Sequence, residues 1–203
     1  MTVQNSVAVR DAKNDSFEVT SGTAPVLRLY TGAQPANCAA AATGTLAAQG
    51  SLPSDWLANS SGGTKSKLGT WTLTGQAAAG AGVTVGYYRI YDTAAANCHE
   101  QGSIKVSVVI NTSALTAANG NVLNFASTTG VNVGDNVSGT GVPAGATVAA
   151  VTATTVTLNV TSTAGVASAA VITFSGDMSI DNSSVANAQV VTVNSYSKTA
   201  SGA

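Results

Sequence analysis

Alternating apolar and polar positions run along most of the chain and predict β-strands. In residues 86–92, an extended strand would place Tyr87, Arg89 and Tyr91 on one side and Tyr88 and Ile90 on the other. Residues 26–31 and 70–74 are rich in branched and aromatic side chains, and residues 155–160 alternate apolar with neutral polar side chains. These patterns indicate an all-β chain whose body is an antiparallel β-sandwich or barrel.

Two further segments extend this picture. Residues 103–110 predict one half-buried strand on the core, with Ile104, Val106, Val108 and Ile110 on one face and Lys105 and Ser107 on the other. Helical spacing is confined to residues 9–19, which predict a short N-terminal helix.

An internal echo links two of the predicted strands. The run Leu-Arg-Leu-Tyr at residues 27–30 resembles Tyr-Arg-Ile-Tyr at residues 88–91, so that Arg28 matches Arg89. Each run is followed by an Asn-Cys pair that ends at Cys38 or Cys98. We therefore expect the two strands to be structural counterparts. The cysteines could form one cross-link or remain neighbouring thiols, and a cytoplasmic assembly favours free thiols.

The character of the chain changes between residues 109 and 174. The only ionisable side chain there is Asp135, and turn signals divide the segment into short strands. Asn119-Gly120 suits a hairpin turn, and residues 142–145 place Pro143 second and Gly145 fourth in a turn. We expect residues 109–174 to form a small inserted β module, and residues 1–108 plus 175–203 to form the body. Deleting residues 111–173 should leave that body folded.

Composition narrows the range of functions. Charged residues make up 8% of the chain, against roughly 25% in an ordinary soluble domain, and the formal net charge is −1. A nucleic-acid partner is not expected, because nucleic-acid binders carry basic patches. No uninterrupted apolar run of about 18 residues and no basic start before an apolar core occurs, so neither a membrane span nor a secretion signal is expected.

Catalytic and metal-binding signatures are sparse. His99 is the only histidine, and it adjoins Cys98, so that the two side chains would project to opposite faces of a strand. Cys38, Cys98 and His99 lack the spacing of a metal site. We predict no catalytic residue, metal ligand or cofactor. An enzyme would need Asp177, Asp181, His99 and Glu100 to converge in one pocket.

Several stretches resemble a family of small tailed-bacteriophage virion proteins. They are residues 26–32 (Val-Leu-Arg-Leu-Tyr-Thr-Gly), 34–37 (Gln-Pro-Ala-Asn), 44–46 (Gly-Thr-Leu), 52–53 (Leu-Pro) and 86–92 (Gly-Tyr-Tyr-Arg-Ile-Tyr-Asp). Residues 133–148 and 154–158 are similar to a module inserted in phage capsid, decoration and tail proteins.

The resemblance implies a capsid decoration, or cement, protein. Such a protein is made in the host cytoplasm, binds the outside of the virion shell and has the major capsid protein and copies of itself as partners. The alternative is a protein associated with the tail or a fibre, with the insert facing a receptor. A cell-derived adhesin or lectin-like module is a third interpretation, and it would call for a secretion signal.

Overall fold

The computed structural model of this protein describes residues 4–143, 145–162 and 164–200. Within them the chain forms one α-helix, α1 (Val7–Ser21), one short 3₁₀ turn (Ala77–Ala79) and fifteen strands. The strands are β1 (Val26–Thr31), β2 (Leu46–Ser51), β3 (Thr64–Ser66), β4 (Trp71–Gly75), β5 (Val83–Tyr91), β6 (Cys98–Lys105), β7 (Val108–Asn111), β8 (Val122–Asn124), β9 (Asn136–Gly139), β10 (Val148–Val151), β11 (Thr155–Leu158), β12 (Val171–Ser175), β13 (Met178–Ile180), β14 (Ser184–Val185) and β15 (Val190–Thr199). The prediction of an all-β chain with a short N-terminal helix is confirmed.

The chain divides into two compact units. One unit, the body, comprises the chain up to Lys105 and again from Asp177, and the other, the inserted module, is Val106–Gly176. The predicted insert, residues 109–174, lies inside the observed module. Each unit has its own hydrophobic core, and none of the described residues belongs to the cores of both units.

The body is a closed seven-strand β-barrel, in the order β1-β2-β4-β15-β13-β6-β5 with β5 pairing back to β1. All of its pairings are antiparallel except that of β6 with β13, which run parallel. Alternation along the strands fills the interior. In β1, Leu27 and Leu29 are fully buried, and in β5, Tyr88 and Ile90 belong to the same core. The predicted division of residues 86–92 into two faces is thus confirmed.

Aromatic rings anchor the long connection between β2 and β4 to this core. Trp56 is fully buried and packs 5.6 Å from Trp71 and 5.7 Å from Phe17, measured between ring centroids. Phe17 lies on α1, so the same cluster fixes the helix against the barrel. Burial of large aromatic side chains contributes strongly to such cores.

Local chemistry defines both ends of α1. The helix begins after Ser6, whose side chain accepts a hydrogen bond from the Val9 amide at 3.3 Å. It ends at Gly22, whose positive φ of 79° suits glycine and whose amide donates to the Glu18 carbonyl.

Polar contacts dock the helix on β3. Lys65 is only 2% exposed, and its Nζ lies 2.7 Å from Asp15 Oδ1 and 2.8 Å from Glu18 Oε2. Asn14 is also buried and donates from Nδ2 to the Gly63 carbonyl at 2.8 Å. A buried ammonium requires such partners, because an unpaired charge away from water is costly.

The inserted module consists of two three-stranded antiparallel sheets, β10-β11-β8 and β7-β12-β9. Their inner side chains form one core, in which Phe125 and Phe174 pack edge to face with centroids 5.6 Å apart. The predicted strand at residues 155–160 appears as β11, with Val156 and Leu158 buried. The sequence pattern therefore gave the correct class of structure for the module.

Two local predictions require correction. Residues 103–110 are not one strand, because β6 ends at Lys105 and β7 begins at Val108 in the other unit. Val106 is exposed, and the apparent alternation joins two strands of different sheets.

The turn expected at Asn119-Gly120 lies one residue earlier in the chain. The Gly120 amide donates a hydrogen bond to the Ala117 carbonyl, and Asn119 adopts a positive φ of 64°. The turn expected at residues 142–145 includes Ala144, which lies outside the described residues.

Candidate functional site

The strands of the internal echo are antiparallel neighbours in the barrel. Arg28 of β1 lies opposite Arg89 of β5, Gln49 of β2 lies opposite Arg28, and Gln101 of β6 lies opposite Arg89. Four strands thus carry a Gln-Arg-Arg-Gln row, which we call the arginine row. Like charges directly opposite each other destabilise a sheet, so this row needs compensation.

Arg89 is satisfied by neutral oxygen atoms. It is 2% exposed, and its Nε and Nη2 donate to Gln101 Oε1 at 3.1 and 2.8 Å. Nη2 also donates to the carbonyl oxygens of Asn37 and Ala40, at 3.0 and 2.8 Å. Within the part of the chain that the structure describes, no carboxylate forms an ion pair with Arg89. The row therefore retains its positive charge.

Three tyrosines lie beside the arginine row. Tyr30 stacks on Tyr87 with ring centroids 5.2 Å apart, and the Tyr30 and Tyr91 hydroxyls are 3.4 Å apart. Burial, helped by the hydrogen bond to Tyr91, raises the pKa of Tyr30 to about 12. The pKa of Tyr91 is lowered: burial opposes this, but it is outweighed by the hydrogen bonds from Tyr30 and Arg89 and by the charges of Arg89 and Arg28.

A disulfide holds the connection between β1 and β2 over these residues. Cys38 and Cys98 are bonded, with Cα atoms 5.3 Å apart, as disulfide geometry requires. Tyr87 adds a second attachment, because its hydroxyl donates to the Thr43 carbonyl at 2.6 Å and accepts from the Thr43 amide at 2.9 Å. Of the two alternatives that the sequence left open, the structure has the cross-link, and the expectation of free thiols is not met.

The four residues that an enzyme would need to bring together converge only in part. Glu100 and Asp177 line one cleft of about 310 Å³, whereas His99 and Asp181 are not among its lining residues. Asp177 Oδ2 accepts hydrogen bonds from the Ser103 amide and hydroxyl at 2.8 and 2.9 Å. In the described residues, no group of three or more His, Cys, Asp or Glu side chains could hold a metal ion.

Glu100 ties together three side chains at this cleft. Its Oε1 accepts from the hydroxyls of Tyr88 and Tyr196 at 2.9 and 2.6 Å, and its Oε2 pairs with Lys198. Burial and the charge of Glu100 raise the pKa of both tyrosines well above its usual value. Both carboxylate oxygens of Glu100 thus have partners, and these contacts connect β6 with β5 and β15.

The inserted module presents a surface of another kind. Asp135 is its only ionisable residue, and it is 7% exposed and accepts a hydrogen bond from the Asn132 amide at 2.7 Å. The outer face of the sheet β7-β12-β9 is neutral. We call it the valine face and define it by Val109, Asn111, Ser138, Val171 and Thr173.

The pattern of the sequence anticipated some of these features and missed others. The neutral module and the echo of Arg28 and Arg89 are visible in the chain, but the pairing of the two arginines depends on strand register. Lys65 and Lys198 gave no sequence signal, because their carboxylate partners are distant in the chain.

Comparison of the chain with protein families, with curated proteins and with solved structures found no match. In the ranges that the structure describes, no helix is both long and apolar enough to cross a membrane.

Proposed function

We propose that this chain is a non-enzymatic structural protein of a tailed-bacteriophage virion, and that it binds the outside of the assembled capsid and stabilises it. The observation that carries the proposal is the uncharged surface of the inserted module. The only ionisable side chain of the module, Asp135, is nearly buried. The sequence resemblance to virion proteins is the reason for proposing a phage capsid as the assembly to which the chain binds.

A neutral surface favours association for a physical reason. The buried centres of protein interfaces are depleted in charged residues, because desolvating a charge costs more than the new contacts return unless it is paired. The valine face carries apolar and small polar groups alone, with Val109 and Val171 both exposed. It can be covered by a partner without that cost.

The stabilising effect follows from mass action. A protein that binds the assembled shell but not its free subunits adds its binding free energy to the stability of the shell. This activity requires interfaces and no reacting group. In the body, the carboxylate and hydroxyl oxygens of the Glu100 cluster are occupied by one another, which agrees with a structural role.

The test uses complete tailed particles assembled without this protein. Purified protein is added, bound copies are counted by quantitative mass spectrometry, and their position is found by cryo-electron microscopy. We expect many copies over the capsid lattice and greater resistance of the shell to heat. Density at the tail alone would establish the tail-associated alternative, and a failure to bind particles would contradict both.

A pair of matched variants tests the valine face itself. Val171→Lys adds a charge on that face, where the valine is 56% exposed, and Val190→Lys adds the same charge on β15 of the body, where the valine is 62% exposed. We expect Val171→Lys to weaken capsid binding by roughly a hundredfold or more, because an unpaired buried charge costs several kcal/mol. Val190→Lys should bind normally, and equal binding by both variants would exclude the valine face as the contact.

A further inference from the structure

A cleft of about 340 Å³ opens beside Arg28, at one end of the arginine row. Besides Arg28, it is lined by the polar side chains of Gln49, Ser51 and Gln76 and by the backbone of Gly50. Its volume lies within the range of small-ligand sites, about 300–1,000 Å³. The proposed role of the valine face makes no use of this cleft.

The guanidinium of Arg28 is held in place by neutral groups. Its Cζ lies 4.8 Å from the centre of the Tyr91 ring, and its Nε donates to Gln49 Oε1 at 3.2 Å. These contacts orient the planar group and leave its charge without a carboxylate among the described residues.

The surroundings increase this unbalanced charge. Arg89, directly opposite Arg28, is likewise bonded only to neutral oxygen atoms. The acidic residue of the nearby turn, Asp92, is occupied by that turn, because its carboxylate accepts hydrogen bonds from the Ala96 amide and from the backbone and side chain of Asn97. Neither of these two arginines forms an ion pair with a carboxylate within residues 4–143, 145–162 and 164–200.

We propose that this cleft binds an oxyanion, a carboxylate or a phosphate group, on the guanidinium of Arg28. The planar fork of arginine matches both anions, and hydrogen bonds between charged groups are stronger than neutral ones. With its Oε1 engaged by Arg28, Gln49 has its amide NH₂ for the same ligand, and the Ser51 hydroxyl provides another donor. The bound anion would relieve the repulsion between Arg28 and Arg89.

The experiment titrates the full-length protein with inorganic phosphate and, separately, with acetate, at constant ionic strength maintained with sodium chloride. Binding is followed by nuclear magnetic resonance of the arginine Nε–Hε groups and by isothermal titration calorimetry. We expect a saturable shift of the Arg28 signal. A response to phosphate alone would identify a phosphate group as the ligand, and a response to acetate alone would identify a carboxylate.

Two variants make the assignment specific. Arg28→Gln should weaken binding roughly tenfold or more, since a hydrogen bond to a charged group is lost. Lys13→Gln removes an equal charge from an exposed position on α1 and should bind as the wild type does. Shifts that do not saturate, or that spread over all arginines of the wild-type protein, would overturn the proposal even if Arg28→Gln failed to fold.

Discussion

The independence of the two units can be tested by removing the inserted module. Replacing Val106–Gly176 by a four-residue Gly-Ser-Gly-Gly linker should leave the body folded. The reason lies in the pairing of β6 with β13, in which Ile104 lies beside Met178 and Lys105 beside Ser179. The deletion therefore cuts the chain at two points that belong to adjacent strands of one barrel.

The structure gives the size of the gap. In this register Asp177 stands opposite Ser103, two residues before Lys105 on the neighbouring strand. With strands about 4.8 Å apart and a rise of about 3.3 Å per residue, the Cα atoms of Lys105 and Asp177 are separated by roughly 8 Å. A four-residue linker can span about 16 Å, which also allows the chain to reverse its direction.

The expected cost in stability is small. The buried core of the barrel contains none of the described residues of the module, and the hydrogen bonds between Ser103 and Asp177 are retained. We expect the free energy of unfolding of the body to change by about 1 kcal/mol or less, which corresponds to a shift in Tm of up to about 4 °C for a body of this size.

Circular dichroism, with urea and thermal unfolding, measures this effect. A single cooperative transition near that of the body in the full-length protein is the expected result. The control is a second deletion variant with the same linker, from which Ser103–Lys105 are removed as well. It lacks the residues of β6 that pair with β13 and should not fold. A molten or aggregated product from the first deletion, with the control indistinguishable from it, would refute the reasoning.

Three further predictions concern contacts within the body. Replacing Cys98 by Ser removes the cross-link to Cys38, which joins residues 60 positions apart, and should lower the free energy of unfolding by roughly 4 kcal/mol on loop-closure entropy, measured by urea unfolding in oxidising buffer; an unchanged midpoint would contradict it. The hydrogen bond from Lys65 lowers the pKa of Asp15 in the folded protein, so the Asp15 carboxylate stabilises the fold at pH values above its usual pKa of 3.8. This contribution is lost as the pH falls through the lower pKa of the folded state. Asp15→Asn should therefore reduce the free energy of unfolding at neutral pH and make its decrease in acid less steep, as chemical unfolding across that pH range would show. Glu100→Gln removes the charge beside two buried tyrosines, so both should ionise at lower pH when followed by ultraviolet absorbance, and a titration curve identical to that of the wild type would disprove this electrostatic coupling.

Part of the fold could be predicted because strand periodicity is a local property. In β5, alternate residues face opposite sides whatever the partner strand is, so the separation of Tyr88 and Ile90 from Tyr87 and Tyr91 was correctly predicted. The same local pattern failed at residues 103–110, because alternation does not reveal where one strand ends and the next one begins in another sheet. The boundary near Val106 is visible only in the pairing of β6 and β7 with different strands.

By itself, the sequence determined the all-β class, the faces of the principal strands and the scarcity of charge in the inserted module, where Asp135 is the only ionisable residue. Each of these depends on the identity and spacing of neighbouring residues. Tertiary structure alone decided that Arg28 lies against Arg89, that Cys38 bonds Cys98 and that Lys65 meets Asp15. These contacts join residues far apart in the chain. They depend on strand order and register, which are set by the packing of the whole barrel rather than by any short stretch of the chain.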